Sequence, residues 1–249
     1  MKPSRLPVHG LGILLVSLAA HAALPPLALG DRTVLADDFT DNHNAWTNVA
    51  VVNAGGAPAT GKARIAASDW SSSVHDGTAV SSVLAFKTPL DLAQGPVSLY
   101  MTVRVDVPDG TDNNRFSIGL QEAAGTPACF VRLQIRPAAA GSIEYRNPEG
   151  LGQFTAITHT QQFLTTATAY YSFRLTVTGA EKGKGPATAE AFYYDARAAK
   201  YVSLGLAQSA VSLATGLFGT LVLNSRNGAN GGAAYFDAVA VTQGRAPKR

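Results

Sequence analysis

Between Val97 and Val107 the chain alternates without a break: Val97, Leu99, Met101, Val103, Val105 and Val107 take the odd positions, and Ser98, Tyr100, Thr102, Arg104 and Asp106 lie between them. Successive side chains of an extended strand point to opposite faces, so this period of two makes one apolar face and one polar face. A helix would place its apolar residues every three or four positions, which this segment does not do. The run ends at Pro108-Asp109-Gly110. These residues supply a preset φ, a local side-chain hydrogen bond and access to positive φ, the ingredients of a turn.

The same alternation recurs at Phe116, Ile118 and Leu120, at Cys129, Val131, Leu133 and Ile135, and at Tyr171, Phe173, Leu175 and Val177. Shorter strands are expected at 62–67, 80–87, 142–146, 188–195, 217–224 and 233–242, separated by turn clusters such as Asn53-Ala54-Gly55-Gly56 and Asn227-Gly228-Ala229-Asn230-Gly231-Gly232. No stretch has the period of a long helix, and no repeat or low-complexity linker divides the chain. With 46% hydrophobic and 15% charged residues there is enough apolar surface for a packed core. The expectation is an all-β, two-sheet antiparallel sandwich forming a single domain over residues 33–242.

The first residues are of another kind. Lys2 and Arg5 precede the apolar run 11–20, which is too short for a stable membrane anchor, and Ala20 and Ala22 suit cleavage by a signal peptidase. We therefore expect a signal peptide over 1–22, with cleavage as late as residue 30, and a secreted or periplasmic protein. Its removal lowers the formal charge from +3 to +1, with 18 basic residues against 17 acidic. Such a balance gives no field for nucleic acid, and the only basic cluster is the tail 243–249 with Arg245, Lys248 and Arg249. No second apolar segment of membrane length follows, so no membrane span is expected in the mature chain. Cys129 is the sole cysteine, which excludes an intramolecular disulfide and reads as a core residue.

The two ends of the domain carry a resemblance. Leu35-Ala36-Asp37-Asp38-Phe39-Thr40-Asp41 with Trp46, and Ala233-Ala234-Tyr235-Phe236-Asp237-Ala238-Val239-Ala240-Val241-Thr242, resemble the opening and closing strands of concanavalin A-like lectin/glucanase domains, laminin-G-like ones included, of secreted bacterial proteins. The resemblance implies a jelly roll whose first and last strands lie together and whose concave face, in functional members, holds carbohydrate. It also implies a structural calcium ion tethering the termini, here through Asp38 and Asp237, although the closing strand reads Phe-Asp-Ala where many relatives read Phe-Asp-Asp. No cofactor is required.

Catalytic signals are sparse. The Glu-x-Asp-x-x-Glu strand of laminarinase-like glucanases is absent, which leaves Glu144 and Glu190 as strand glutamates for a carboxylate pair. Gln134-Ile135-Arg136 stands where alginate-lyase jelly rolls carry Gln-Ile-His, but an arginine stays protonated and cannot act as a base. There is no Gly-x-Ser-x-Gly elbow, and His43, His75 and His159 lie in loops without metal-ligand spacing.

What the polar phases of the strands offer is a surface. Tyr100, Thr102 and Arg104, then Phe130, Arg132, Gln134 and Arg136, then Tyr170, Ser172 and Arg174, then Glu190, Phe192 and Tyr194 would form one patch if their strands shared a sheet. Guanidinium groups hydrogen-bond carboxylates in bidentate fashion, and aromatic rings stack on sugars. The sequence thus points to a non-catalytic, lectin-like module for a polysaccharide or glycan, with Tyr100, Arg104, Arg132, Gln134, Arg136 and Arg174 in contact and Tyr194 as a stacking platform. A lyase or glycoside hydrolase on the same fold, and a structural or adhesive module of the cell envelope, are the competing readings.

Overall fold

The computed structural model describes residues 24–27, 31–39, 43–46, 50–52, 62–66, 81–106, 115–122, 130–136, 139–146, 152–157, 170–179, 186–212, 216–226 and 233–245. The expected signal peptide over 1–22, Cys129, His75, His159 and residues 246–249 lie outside them.

Fourteen strands are described: β1 (Arg32–Asp37), β2 (Ala50–Val52), β3 (Lys62–Ala66), β4 (Ser81–Asp91), β5 (Val97–Asp106), β6 (Arg115–Glu122), β7 (Phe130–Arg136), β8 (Ala139–Arg146), β9 (Gly152–Ile157), β10 (Tyr171–Thr178), β11 (Pro186–Asp195), β12 (Lys200–Ser212), β13 (Leu217–Arg226) and β14 (Ala233–Gln243). They form two antiparallel sheets. The eight-stranded sheet runs β12-β11-β10-β5-β14-β3-β2, with β1 also paired to β14, and the six-stranded sheet runs β4-β13-β6-β7-β8-β9. The expected two-sheet sandwich is therefore present. Its last strand reaches Gln243, the first residue assigned to the tail, whose side-chain amide donates to the backbone oxygen of Asp91 at 2.7 Å.

The period of two explains the core. Val97, Leu99, Met101 and Val103 of β5 and Phe173, Leu175 and Val177 of β10 are sealed from solvent, as are Ile118 and Leu120 of β6 and Val131, Leu133 and Ile135 of β7 in the other sheet. Phe116 of β6 and Phe173 of β10 meet across the interlayer with ring centroids 5.7 Å apart. Burying side chains of this size contributes about 1.5–3 kcal/mol each.

The opening and closing strands do lie together. β14 pairs with β3 over Ala233–Phe236 and with β1 over Val239–Gln243, and Asp237 sits at the irregularity between the two partners. The sequence around β1 is built for the bend that follows it. Buried Asp37 accepts hydrogen bonds from the Phe39 backbone N–H at 2.8 Å, the Asn44 side-chain amide at 2.7 Å and the Trp46 indole at 2.8 Å. Phe39, at a left-handed φ of 54°, then packs against Trp46 with ring centroids 5.6 Å apart. Three donors on one carboxylate compensate its burial, which a lone charge could not sustain.

At the far edge, β12 carries a register shift opposite Ala191 and Phe192, with Gly205 at φ 154°. A Cβ on Gly205 would sit 3.1 Å from Cγ2 of Ile157 on β9. Glycine here supplies both the backbone conformation and the close approach of the two sheets at this end of the sandwich.

Candidate functional site

The polar residues expected to share one patch are divided between two sheets. Tyr100, Arg104, Arg174 and Tyr194 stand on the eight-stranded sheet, whereas Arg132, Gln134 and Arg136 belong to β7 of the six-stranded one. This corrects the single sugar-binding surface. Alternation fixes which phase of a strand turns away from the core, but not which sheet the strand joins. The outward phases of the two sheets therefore lie on opposite sides of the sandwich. Glu144 and Glu190 are parted in the same way, on β8 and β11, so they do not share a groove.

On the six-stranded sheet, Ser117, Gln134 and Ser142 form one cross-strand row, and Gly119, Arg132 and Glu144 form the next. Arg132 donates through Nε to Oε2 of Glu144 and pairs with it, while Ser142 Oγ donates to the other carboxylate oxygen at 3.0 Å. Arg132 and Glu144 are only 13% and 2% exposed, and Gln134 is buried beside them. The guanidinium also lies 4.9 Å from the Phe130 ring centroid. Burial lowers the Arg132 pKa and Glu144 raises it in turn, as expected of a desolvated ion pair. A ligand would find this arginine already neutralised. Gly119, directly opposite Arg132, makes the pairing sterically feasible, because a Cβ there would fall 2.5 Å from the arginine Cβ.

The outer face of the eight-stranded sheet is different. Arg174 is paired across β10 and β5 with Tyr100 and across β10 and β11 with Phe192. Its guanidinium carbon lies 3.8 Å from the Phe192 ring centroid and 4.7 Å from that of Tyr201. Arg104 lies 4.3 Å from the ring of Tyr235 and 5.8 Å from that of Tyr170. Tyr201 in turn touches Tyr194 at 5.3 Å and Tyr100 at 5.8 Å, both edge-on. Each such cation–ring contact is worth about 0.5–2 kcal/mol, the more so where water is excluded.

Among the described residues no carboxylate pairs with Arg174. Its Nε and the hydroxyl of Tyr201 are both buried without a hydrogen-bond partner. Burial first, and Tyr100 next to it, raise the Tyr201 pKa, against a smaller opposing pull from Arg174. The phenol therefore keeps its proton at neutral pH. Glu190, further along the face, accepts from Ser203 Oγ at 2.7 Å.

Not every expected contact residue is available. Tyr100 is 0% exposed beneath Tyr201 and serves as packing, which corrects its role as a ligand contact. Arg104 is 8% exposed, and Arg174, Phe192, Tyr194, Tyr201, Tyr170 and Tyr235 are half-buried. Tyr201 and Tyr235 were absent from the contact set read from sequence. Tyr235 could have been found from its place in the closing strand, two residues before Asp237. Tyr201 was hidden because β12 breaks the alternation at Gly205. The side chain of Arg136 falls outside the described residues. Of the two carboxylates proposed for calcium, Asp38 is exposed at the end of β1 and Asp237 is buried in β14, and Asp37 between them in role is committed to the Trp46 bend. His43 is exposed and hydrogen-bonds Asn44.

No protein-family model matches the chain, and no curated protein matches it in sequence. Solved structures do match in shape. An alginate lyase of family PL-14 from Aplysia kurodai superposes with a TM-score of 0.60 at 12% identity, over 85% of this chain and 99% of that one. The Emp47p carbohydrate recognition domain gives 0.51 at 11% identity, over 88% and 99%, and the alginate lyase Aly36B gives 0.50 at 13% identity, over 91% and 100%. Identities this low establish architecture alone. The chain has the concanavalin A-like jelly-roll fold that these lyases and this carbohydrate recognition domain share.

Proposed function

We propose that this protein is a secreted or periplasmic, non-catalytic module that binds an acidic polysaccharide on the outer face of its eight-stranded sheet. The observation that carries this reading is the Arg174 guanidinium, in contact with the rings of Phe192 and Tyr201 and with no carboxylate partner among the described residues. Nε is buried, so the donors left to a ligand are the terminal N–H groups of this half-buried side chain. A uronate carboxylate fits such a fork with two parallel hydrogen bonds. The half-buried rings of Tyr194 and Tyr201 supply the apolar surface on which a pyranose stacks.

Two features support binding over turnover. The buried Tyr201 phenol holds its proton more firmly than a free tyrosine, so it is not a base at neutral pH. The lyase-like stretch Gln134-Ile135-Arg136 stands on the other side of the sandwich, on the strand of Arg132, which Glu144 neutralises. The fold is shared with proteins named as alginate lyases and as a carbohydrate recognition domain, which is consistent with a glycan ligand.

Affinity electrophoresis tests the proposal. The wild-type protein should be retarded in gels containing alginate or polygalacturonate and run freely in gels containing neutral laminarin. Incubation with each polymer should release no unsaturated ends absorbing near the ultraviolet. Equal mobility in all gels would overturn the reading in favour of a structural or adhesive module, and released unsaturated ends would overturn it in favour of a lyase.

A further inference from the structure

On β11, Glu190 and Phe192 share the outward phase of the sheet, while Ala189 and Ala191 point into the core. Phe192 pairs with Arg174 on one side and with Ser203 on the other. The Glu190 carboxylate leans toward that row, because its Oε1 accepts from Ser203 Oγ at 2.7 Å. Ser203 stands two strands from Arg174, which sets their backbone positions about 10 Å apart. A carboxylate and a guanidinium thus occupy one face without pairing, and no other described residue hydrogen-bonds the half-buried Glu190.

Beside this carboxylate the face turns apolar. The register shift on β12 sets Leu206 directly opposite Glu190, and the leucine side chain is 62% exposed. Cross-strand neighbours on one face hold their Cβ atoms about 5 Å apart, so the acceptor and the isobutyl group form one small station. Its demands differ from those of Arg174. The arginine takes an anionic group. Glu190 repels a second anion and accepts from an N–H, and Leu206 gives contact to a methyl group. An acetamido substituent carries that N–H and that methyl together.

We infer that this face selects a polysaccharide in which uronates alternate with N-acetylated amino sugars, the uronate carboxylate held by Arg174 and the acetamido group of a neighbouring sugar set against Glu190 and Leu206. The inference rests on the proposed binding of an acidic polysaccharide and adds the chemistry of its repeat. Discrimination comes from repulsion as well as attraction. A homopolymer of uronates still finds Arg174, but it brings a further carboxylate toward Glu190 and offers Leu206 no methyl.

Titration calorimetry of the wild-type protein compares three hexasaccharides: alternating glucuronate–N-acetylglucosamine, alternating glucuronate–glucose, and homo-oligoglucuronate. Seating one methyl group is worth about fourfold in affinity, and sparing a second carboxylate the field of Glu190 across about 10 Å adds about twofold or more. The acetamido probe should therefore bind at least about fivefold more tightly than the homo-oligouronate, with the glucose probe between them. Leu206→Ser should weaken the acetamido probe alone, by about fourfold, and Glu190→Gln should tighten the homo-oligouronate by about twofold. Thermal melting verifies that each variant is folded, and the wild-type comparison of the three probes stands without them. Equal or tighter binding of the homo-oligouronate, abolished by Arg174→Ala, would overturn the acetamido inference and leave acidic-glycan binding intact. A glucose probe that matches the acetamido probe, or an acetamido affinity unchanged in folded Leu206→Ser, would overturn it as well. No binding of any probe would overturn both readings.

Discussion

The ring of Tyr201 on β12 lies 5.8 Å, centroid to centroid, from the ring of Tyr100 on β5, although β11 and β10 run between their strands. Three strand spacings would separate those strands by about 14 Å in a flat sheet. The Tyr201 side chain therefore reaches inward across the outer face toward β5. Arg174 on β10 is in contact with its ring and with that of Phe192.

Removing the guanidinium should abolish the interaction with acidic polymer at little expense in stability. Arg174→Ala gives up ring contacts worth about 0.5–2 kcal/mol, yet it leaves no described carboxylate unpaired. Affinity electrophoresis in alginate should show the variant running as in a blank gel, with a melting temperature within a few degrees of the wild type. Arg174→Lys keeps the charge but not the planar fork, and should recover only a minor part of the retardation.

Arg132→Ala should behave in the opposite manner. Sequence alone placed Arg132 among the glycan contacts. In the fold, Glu144 would be left buried with its charge uncompensated, which costs about 3–5 kcal/mol. Urea unfolding should show this loss, while the folded fraction still binds. Replacing both partners, Arg132→Met with Glu144→Leu, should restore most of the stability. An undiminished urea midpoint for Arg132→Ala would mean that the pair is not buried as described.

Alkaline stability should report on Tyr201. Its pKa is raised in the folded chain, so the group contributes fully below the ordinary tyrosine value near pH 10. Above that value the unfolded chain ionises first, the native state holds the extra proton, and stability falls as pH rises. Melting temperatures between about pH 9 and 12 should decline more steeply for the wild type than for Tyr201→Phe. Parallel declines would place the ionising group elsewhere.

The bend after β1 should depend on acceptor chemistry at Asp37. Asp37→Asn turns one oxygen into a donor facing either the Phe39 N–H or the Trp46 indole and Asn44 amide together. An unsatisfied buried donor of this kind costs about 1–3 kcal/mol. Denaturation followed by circular dichroism should register the loss, and Trp46→Phe in the same chain should return part of it.

How far this arrangement was legible beforehand depends on which rule a residue obeys. Val97 to Val103 showed their faces at once, because alternation is a local property and nothing in β5 interrupts it. β12, the longest strand, went unread: Tyr201 and Ser203 turn outward, but the shift at Gly205 moves Leu206 onto the same face, and Leu206 is 62% exposed. The site was half legible for a second reason. Arg104, Arg174 and Arg132 all stand in polar phases, yet sheet membership is decided by pairing between distant strands, which no local pattern encodes. Tyr100 shows the third limit, since a residue in the outward phase was sealed by a side chain arriving from three strands away. The Asp37 motif was recognised by resemblance, and its reason, three donors closing on one carboxylate, emerged only with the bend in place.

A crystal of the protein soaked with a hexauronate puts the binding face to the most direct trial. Sugar density along the outer face of the eight-stranded sheet, with a carboxylate within hydrogen-bonding distance of the Arg174 guanidinium, is the expected result. Density on the other side of the sandwich beside Arg132, with the Arg174 face bare, would contradict it.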